Sequence, residues 1–145
     1  MILRQYPDAR VRFRIDLAPL LEAPTVLQFH IASAIITFFI GLFLLNAPKG
    51  RHLHKTFGWI WVAAMASTAA SSFFLRGIGG DKMSVIHGLS AWTLISLPMA
   101  ISAIRHRKVE SHARNMTSLF LGGMAIAGLF TFLPGRLMWD VFFAV

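Results

Sequence analysis

The chain has 145 residues, of which 56% are apolar and 14% charged, whereas a soluble domain averages about 25% charged. It contains no cysteine, so disulfide scaffolds, thiolate zinc sites, iron–sulfur clusters and cysteine nucleophiles are excluded together. The formal charge of +8 raises the question of nucleic acid, but the basic residues fall in short clusters between long apolar runs, so no nucleic-acid role is expected and the partner indicated is a lipid bilayer.

In chain order, residues 1–25 form an N-terminal segment without the apolar core of a signal peptide, and Val11 to Leu21 reads as an interfacial amphipathic piece. Four apolar runs follow in residues 26–136: Val26 to Asn46, Phe57 to Leu75, Ser84 to Ile104 and Asn115 to Leu133. Each has the roughly 20 residues a membrane-crossing helix needs, far more than a strand uses. The connections are short, which makes successive helices antiparallel neighbours. The fold class expected is an all-α membrane protein, a four-transmembrane-helix up-down-up-down bundle. Residues 137–145 read as an interfacial C-terminal tail. Small residues crowd the second run (Ala63 to Ser72) and the fourth (Gly122, Gly123, Gly128), where they suit close helix contact in lipid. Pro98 interrupts the third run, Trp59, Trp61, Trp139 and the deeper Trp92 fit interfacial anchors, and Pro134 with Gly135 ends the fourth.

Seven basic residues lie in loops 47–56 and 105–114, against Arg76, Lys82 and Arg136 in the opposite loop and tail. The positive-inside rule makes those two loops cytoplasmic. Arg4, Arg10, Arg12 and Arg14 run against this orientation.

All six acids lie outside the apolar runs, so a carboxylate proton relay, a di-metal carboxylate bundle and a paired-acid hydrolase lack their parts. Histidine is the informative residue. Each expected helix has one near its N-terminal end: His30, His54, His87 and His112. His30 and His54 are 24 residues apart, His87 and His112 are 25, and both His30 and His87 open an H-x-x-S-A motif. The chain therefore reads as two repeated helical hairpins, related by a pseudo-two-fold axis along the membrane normal. In such a bundle His30 faces His87 at one level and His54 faces His112 at the other. Two facing imidazoles at each level form the ligand set for two b-type haems, with Lys49, Arg51, Lys55, Arg105 and Arg114 on the cytoplasmic side and Arg76 outside as candidate propionate or headgroup contacts.

The bland alternative keeps the histidines as structural or pH-responsive groups. For His54 and His112, two residues ahead of their apolar runs in basic loops, it is the favoured one. His30 and His87 lie within theirs, where an ionisable side chain points to function. A cytoplasmic zinc or copper site built from His52, His54, His106 and His112 is a weaker candidate, and the scattered methionines read as packing.

The motifs Pro48-Lys49-Gly50, Leu53-His54 with Gly58, Ser71-Ser72-Phe73-Phe74, Ile86-His87, His112 with Asn115-Met116, and Leu133-Pro134-Gly135-Arg136 together resemble a family of small bacterial inner-membrane proteins. That family carries a domain of unknown function (number 2306). The resemblance runs from about Leu17 onward and implies four helices and a multi-pass bacterial inner-membrane location. The chain is more weakly similar to four-helix, di-haem b-type cytochromes of the ascorbate-reducible class, from which it departs by holding its histidines nearer the helix ends. The expectation is a membrane electron carrier with haem b. Its alternative is a haem-free membrane subunit, small transporter or scaffold, in neither case a stand-alone enzyme. A homo-oligomer or a membrane-complex partner is in keeping with the small-residue faces.

Overall fold

The fold is described from a computed structural model, which describes residues 12–75, 85–134 and 136–144. The expected loop between the second and third helices, with Arg76, and Arg4 and Arg10 near the N-terminus lie outside those residues. The chain is helical apart from one two-residue strand pairing, and it divides into two units, residues 24–128 and residues 1–23 with 129–145.

The larger unit is built from four helical rods: α2 (Thr25–Asn46), α3 (His52–Phe73), α4 (Val85–Arg105) and α5 (Val109–Ser118), which runs on into a π-helical stretch, Leu119–Ile126. A final α6 (Ala127–Thr131) follows. The expected boundaries move outward at two points. α3 starts at His52 and α5 at Val109, so His54 and His112 lie in first helical turns instead of loops. Polar residues open these helices, so apolarity alone does not mark the starts.

Each rod packs on its sequence neighbour, and α2 also meets the π stretch of the last rod, so α2, α3, α4 and α5 with its continuation close a ring. Two tight links set the order. Gly50 adopts a left-handed conformation (φ 76°) just before α3, and Lys49 donates from Nζ to the carbonyls of Leu44, Leu45 and Ala47 at 2.7–2.9 Å. The lysine thereby satisfies carbonyls that the C-terminus of α2 leaves open. After α4, Lys108 N–H donates to Ala103 O and Arg107 N–H to Ile104 O, a Schellman turn with Arg107 at φ 59° where glycine is usual.

The interior of this unit is notably polar. Alongside Trp61, Met65, Leu97, Leu119, Phe120 and Met124 it buries Ser33, Thr37, Thr68, Ser71, Ser72, His87, Ser90 and Thr93. Most of the hydroxyls return a hydrogen bond to their own helix: Thr37 to Ser33 O, Thr68 to Ala64 O, Ser71 to Thr68 O, Ser72 to Ala69 O and Thr93 to Leu89 O. Such hydroxyls bring no unsatisfied donor into the core and are small enough for backbones to approach. Gly41 and Gly123 serve the same end. A Cβ at Gly41 would sit 2.5 Å from the Phe120 ring and 2.7 Å from Trp61 Nε1, and one at Gly123 would sit 2.5 Å from Met65 Cε.

The outside, conversely, is apolar. Phe29, Ile35, Ile36, Phe38, Phe39, Phe43, Ile95 and Met99 are all exposed. Exposed apolar surface on this scale needs a nonaqueous neighbour. Among the described residues two helices, Thr25–Asn46 and His87–Arg105, are long and apolar enough to cross a membrane. The expected four spans reduce to these two by length and composition. α3 opens with His52, His54 and Lys55 and continues into an Ala/Ser-rich half, and the last rod is divided by its π stretch.

In the smaller unit, β1 (Arg12–Phe13) pairs antiparallel with β2 (Phe143–Ala144), and α1 (Ala18–Leu21) packs on α7 (Leu137–Phe142). The Phe13 ring stacks on Phe142 and meets Phe143 edge-on. The C-terminal tail is thus a short helix followed by a strand partner for the N-terminal segment.

Candidate functional site

The four histidines singled out by spacing fall into two environments, one at each end of the larger unit. At the end where α3 finishes, His30 Nδ1 is 2.8 Å from Ser71 Oγ. Ser71 Oγ donates to Thr68 O at 2.9 Å, so it accepts from the imidazole, which fixes the His30 proton on Nδ1. At the next residue, Ser72 Oγ and Ser90 Oγ are 2.5 Å apart, which draws α3 against α4. His87 is buried on α4 with its ring 5.9 Å from that of Phe73. His30 and His87 are thus both held on the last turn of α3, one by a hydroxyl and one by an aromatic ring. The helix ends here are closed by direct side-chain contact.

At the opposite end, His54 and His112 line one cleft of about 510 Å³, whose walls come from α2, α3, α4 and α5. Both side chains are half-buried. His112 Nδ1 donates to Ala100 O at 3.0 Å, across from α5 to α4. That bond fixes the tautomer and leaves Nε2 with a free lone pair, the state of an imidazole prepared to act as a ligand or acceptor. His54 Nδ1 is buried without a hydrogen-bond partner, and so is the Trp61 indole Nε1, which also belongs to this cleft. Burial, then the Lys49 ammonium, then His112 push the His54 pKa below its usual value, so this ring is held neutral. Apart from Lys49, Lys55 and Thr117, the remaining walls are apolar, with Leu44, Leu45, Val62, Ile104, Met116 and Phe120 among them.

The candidate propionate contacts disperse. Lys49 lines the cleft, but its three donors are taken by carbonyls of the α2 end. Arg114 pairs with Glu110 at 3.1 Å on the exposed face of α5. Arg51 is exposed at the α3 N-cap and does not line the cleft. Lys55, named with them in the sequence, lies on the cleft wall. Arg76 lies outside the described residues.

The four-histidine metal site is not assembled. Among the described residues no group of three or more His, Asp or Glu could hold a bare metal ion, and His106 turns its Nδ1 to Ser102 O at 2.8 Å, away from the cleft. Trp61, expected as an interfacial anchor, is instead buried in the core against the cleft. Its position among apolar neighbours gives no hint that the indole N–H is left without a partner; only packing reveals it.

No curated protein and no solved structure gives a match. A family profile does, over residues 27–143, which includes all four helical rods and both histidine pairs. The chain belongs to the family of predicted membrane proteins DUF2306.

Proposed function

We propose that the chain is a four-span protein of the bacterial inner membrane with one working site, the cleft between His54 and His112, and that the site takes haem b by two imidazole ligands, making the protein a membrane electron carrier. The observation that carries the reading is the His112 hydrogen bond to Ala100 O, which leaves Nε2 free in a cleft that also holds a neutral His54. The donor set fits. Haem needs two axial ligands, neutral imidazole is a suitable one, and an apolar sleeve of several hundred Å³ matches a planar cofactor. His54 and His112 would hold the group, with the Ala100 carbonyl orienting the second ring and Lys55 on the cleft wall to balance its acidic substituents. When bound, the haem supplies one-electron chemistry; the chain supplies ligands, a water-poor pocket and charge balance.

Four spans are supported by the ring of four rods with a small, hydroxylated interior and an apolar exterior. α3 and the last rod cross lipid by facing their polar atoms inward, where hydropathy counted along the chain undervalues them. The basic links 47–51 and 106–108 then lie in the cytoplasm by charge.

The second reading is a haem-free membrane protein with structural histidines. The His30–Ser71–Thr68 chain favours it for the upper pair, which we assign to helix packing. The two readings separate by absorption spectroscopy of the full chain, purified after expression with adequate haem supply. A sharp α-band of b type on dithionite reduction supports the electron carrier. A colourless protein after haem supplementation refutes it and leaves the haem-free reading.

A further inference from the structure

A second depression runs between α3 and α4, about 670 Å³ in volume, and has a graded lining. Its inner part is apolar, with Ala66, Leu94 and Pro98 in the walls, and its end carries Ser102, Arg105 and His106. From Leu94 to Arg105 is eleven helical steps, about 16 Å. That is close to half the roughly 30 Å hydrocarbon thickness of a bilayer, the depth of one leaflet. Trp59, 57% exposed, lies on the same wall, a residue type that prefers the headgroup level.

The cationic end is organised. Arg105 closes the last turn of α4, and the Schellman turn through Arg107 and Lys108 fixes the chain beyond it. His106 Nδ1 donates to Ser102 O, so its Nε2 faces outward, and both Arg105 and His106 are exposed. Among the described residues the one ion pair joins Arg114 to Glu110, and no carboxylate of those residues pairs with Arg105. An apolar slot one leaflet deep, ending in a guanidinium, has the polarity profile of a single anionic phospholipid: acyl chain in the slot, phosphate at the cation.

We propose that this groove is a binding site for an anionic phospholipid, with one acyl chain between α3 and α4 and the headgroup phosphate held by Arg105, beside His106. The site does not depend on the haem reading.

The test uses the full chain reconstituted in phosphatidylcholine vesicles containing spin-labelled phosphatidylglycerol or spin-labelled phosphatidylcholine, with the motionally restricted fraction read by electron spin resonance. The expected result is a preference for phosphatidylglycerol of roughly fivefold, the size one cation contributes toward an anionic membrane surface. Arg105→Gln with His106→Gln should bring the ratio close to one, while Arg51→Gln, an exposed cation at the same end of the unit but off the groove, should leave it unchanged. Ala66→Phe should lower the restricted fraction of both lipids by filling the slot. The proposal is overturned if the wild type shows no preference, if Arg51→Gln removes as much of it as the double variant, if Ala66→Phe changes nothing, or if excess inorganic phosphate displaces the lipid, which would make it a plain anion site.

Discussion

The two ends of the four-rod unit use the same residue and the same spacing for different purposes. At the end holding His30 and His87, hydroxyls of Ser71, Ser72 and Ser90 fill the space between helices, and His30 donates to Ser71. At the end holding His54 and His112, the helices leave a cleft, and one imidazole is tied at Nδ1 by a backbone carbonyl while the other keeps a buried nitrogen without a partner. A histidine deep in an apolar run is thus not by that fact the functional one. What distinguishes the pairs is the cleft, which His54 and His112 line and His30 and His87 do not.

Packing substitutions sharpen the contrast most. Gly41→Leu pushes a side chain into Phe120 and the Trp61 indole at the floor of the cleft, and Gly123→Leu drives one into Met65. Each should cost about 1–3 kcal/mol through overpacking, and Gly41→Leu should also close the cleft. Unfolding in mixed micelles with increasing denaturing detergent checks the first effect and ligand retention the second. At the closed end, Ser72→Ala removes the acceptor of the Ser90 hydroxyl; the expected loss is about 0.6 kcal/mol, the average for hydrogen bonds between membrane helices. A loss several times larger would mean that this end, too, carries more than packing.

Acidification tests the end that holds the cleft. The folded-state pKa of His54 lies below its unfolded value near 6.5, so its neutral form favours the folded state. Stability from this group is present above pH 6.5 and is lost as pH falls through the folded value. His54→Gln should therefore flatten the decline in thermal stability below pH 6.5, and an unchanged profile would show that His54 is not held neutral. The smallest effect belongs to the surface. Arg114→Gln breaks an exposed i, i+4 pair and should cost no more than about 0.5 kcal/mol, leaving the cleft intact.

Much of the helical arrangement was legible along the chain. The uncharged run of α2 and the Leu97–Pro98 region of α4 announce themselves by length, and the small residues of α3 do mark a buried face, through Ala69, Ser71 and Ser72. Helix starts were less legible, because His52, Leu53 and His54 form a helical turn among basic neighbours that reads as loop. The π stretch over Leu119–Ile126 leaves no signature in an evenly apolar sequence. For the site, spacing along the chain singles out four histidines, but it could not rank them. The ranking depends on Ser71, Ala100 and Trp61, which lie 41, 12 and 7 residues from the histidines that they inform. Basic residues were the least legible part, since Lys49 looks like a phosphate or propionate contact until its three donors are found on the carbonyls that end α2.

The most direct measurement is haem content per polypeptide, by pyridine haemochrome, in four single variants purified from the same haem-supplied cells: His54→Ala, His112→Ala, His30→Ala and His87→Ala. The account predicts loss of haem in the first two and retention in the last two. Haem lost with His30 or His87 and kept without His54 and His112 would contradict it, and would move the working site to the hydroxyl-lined end.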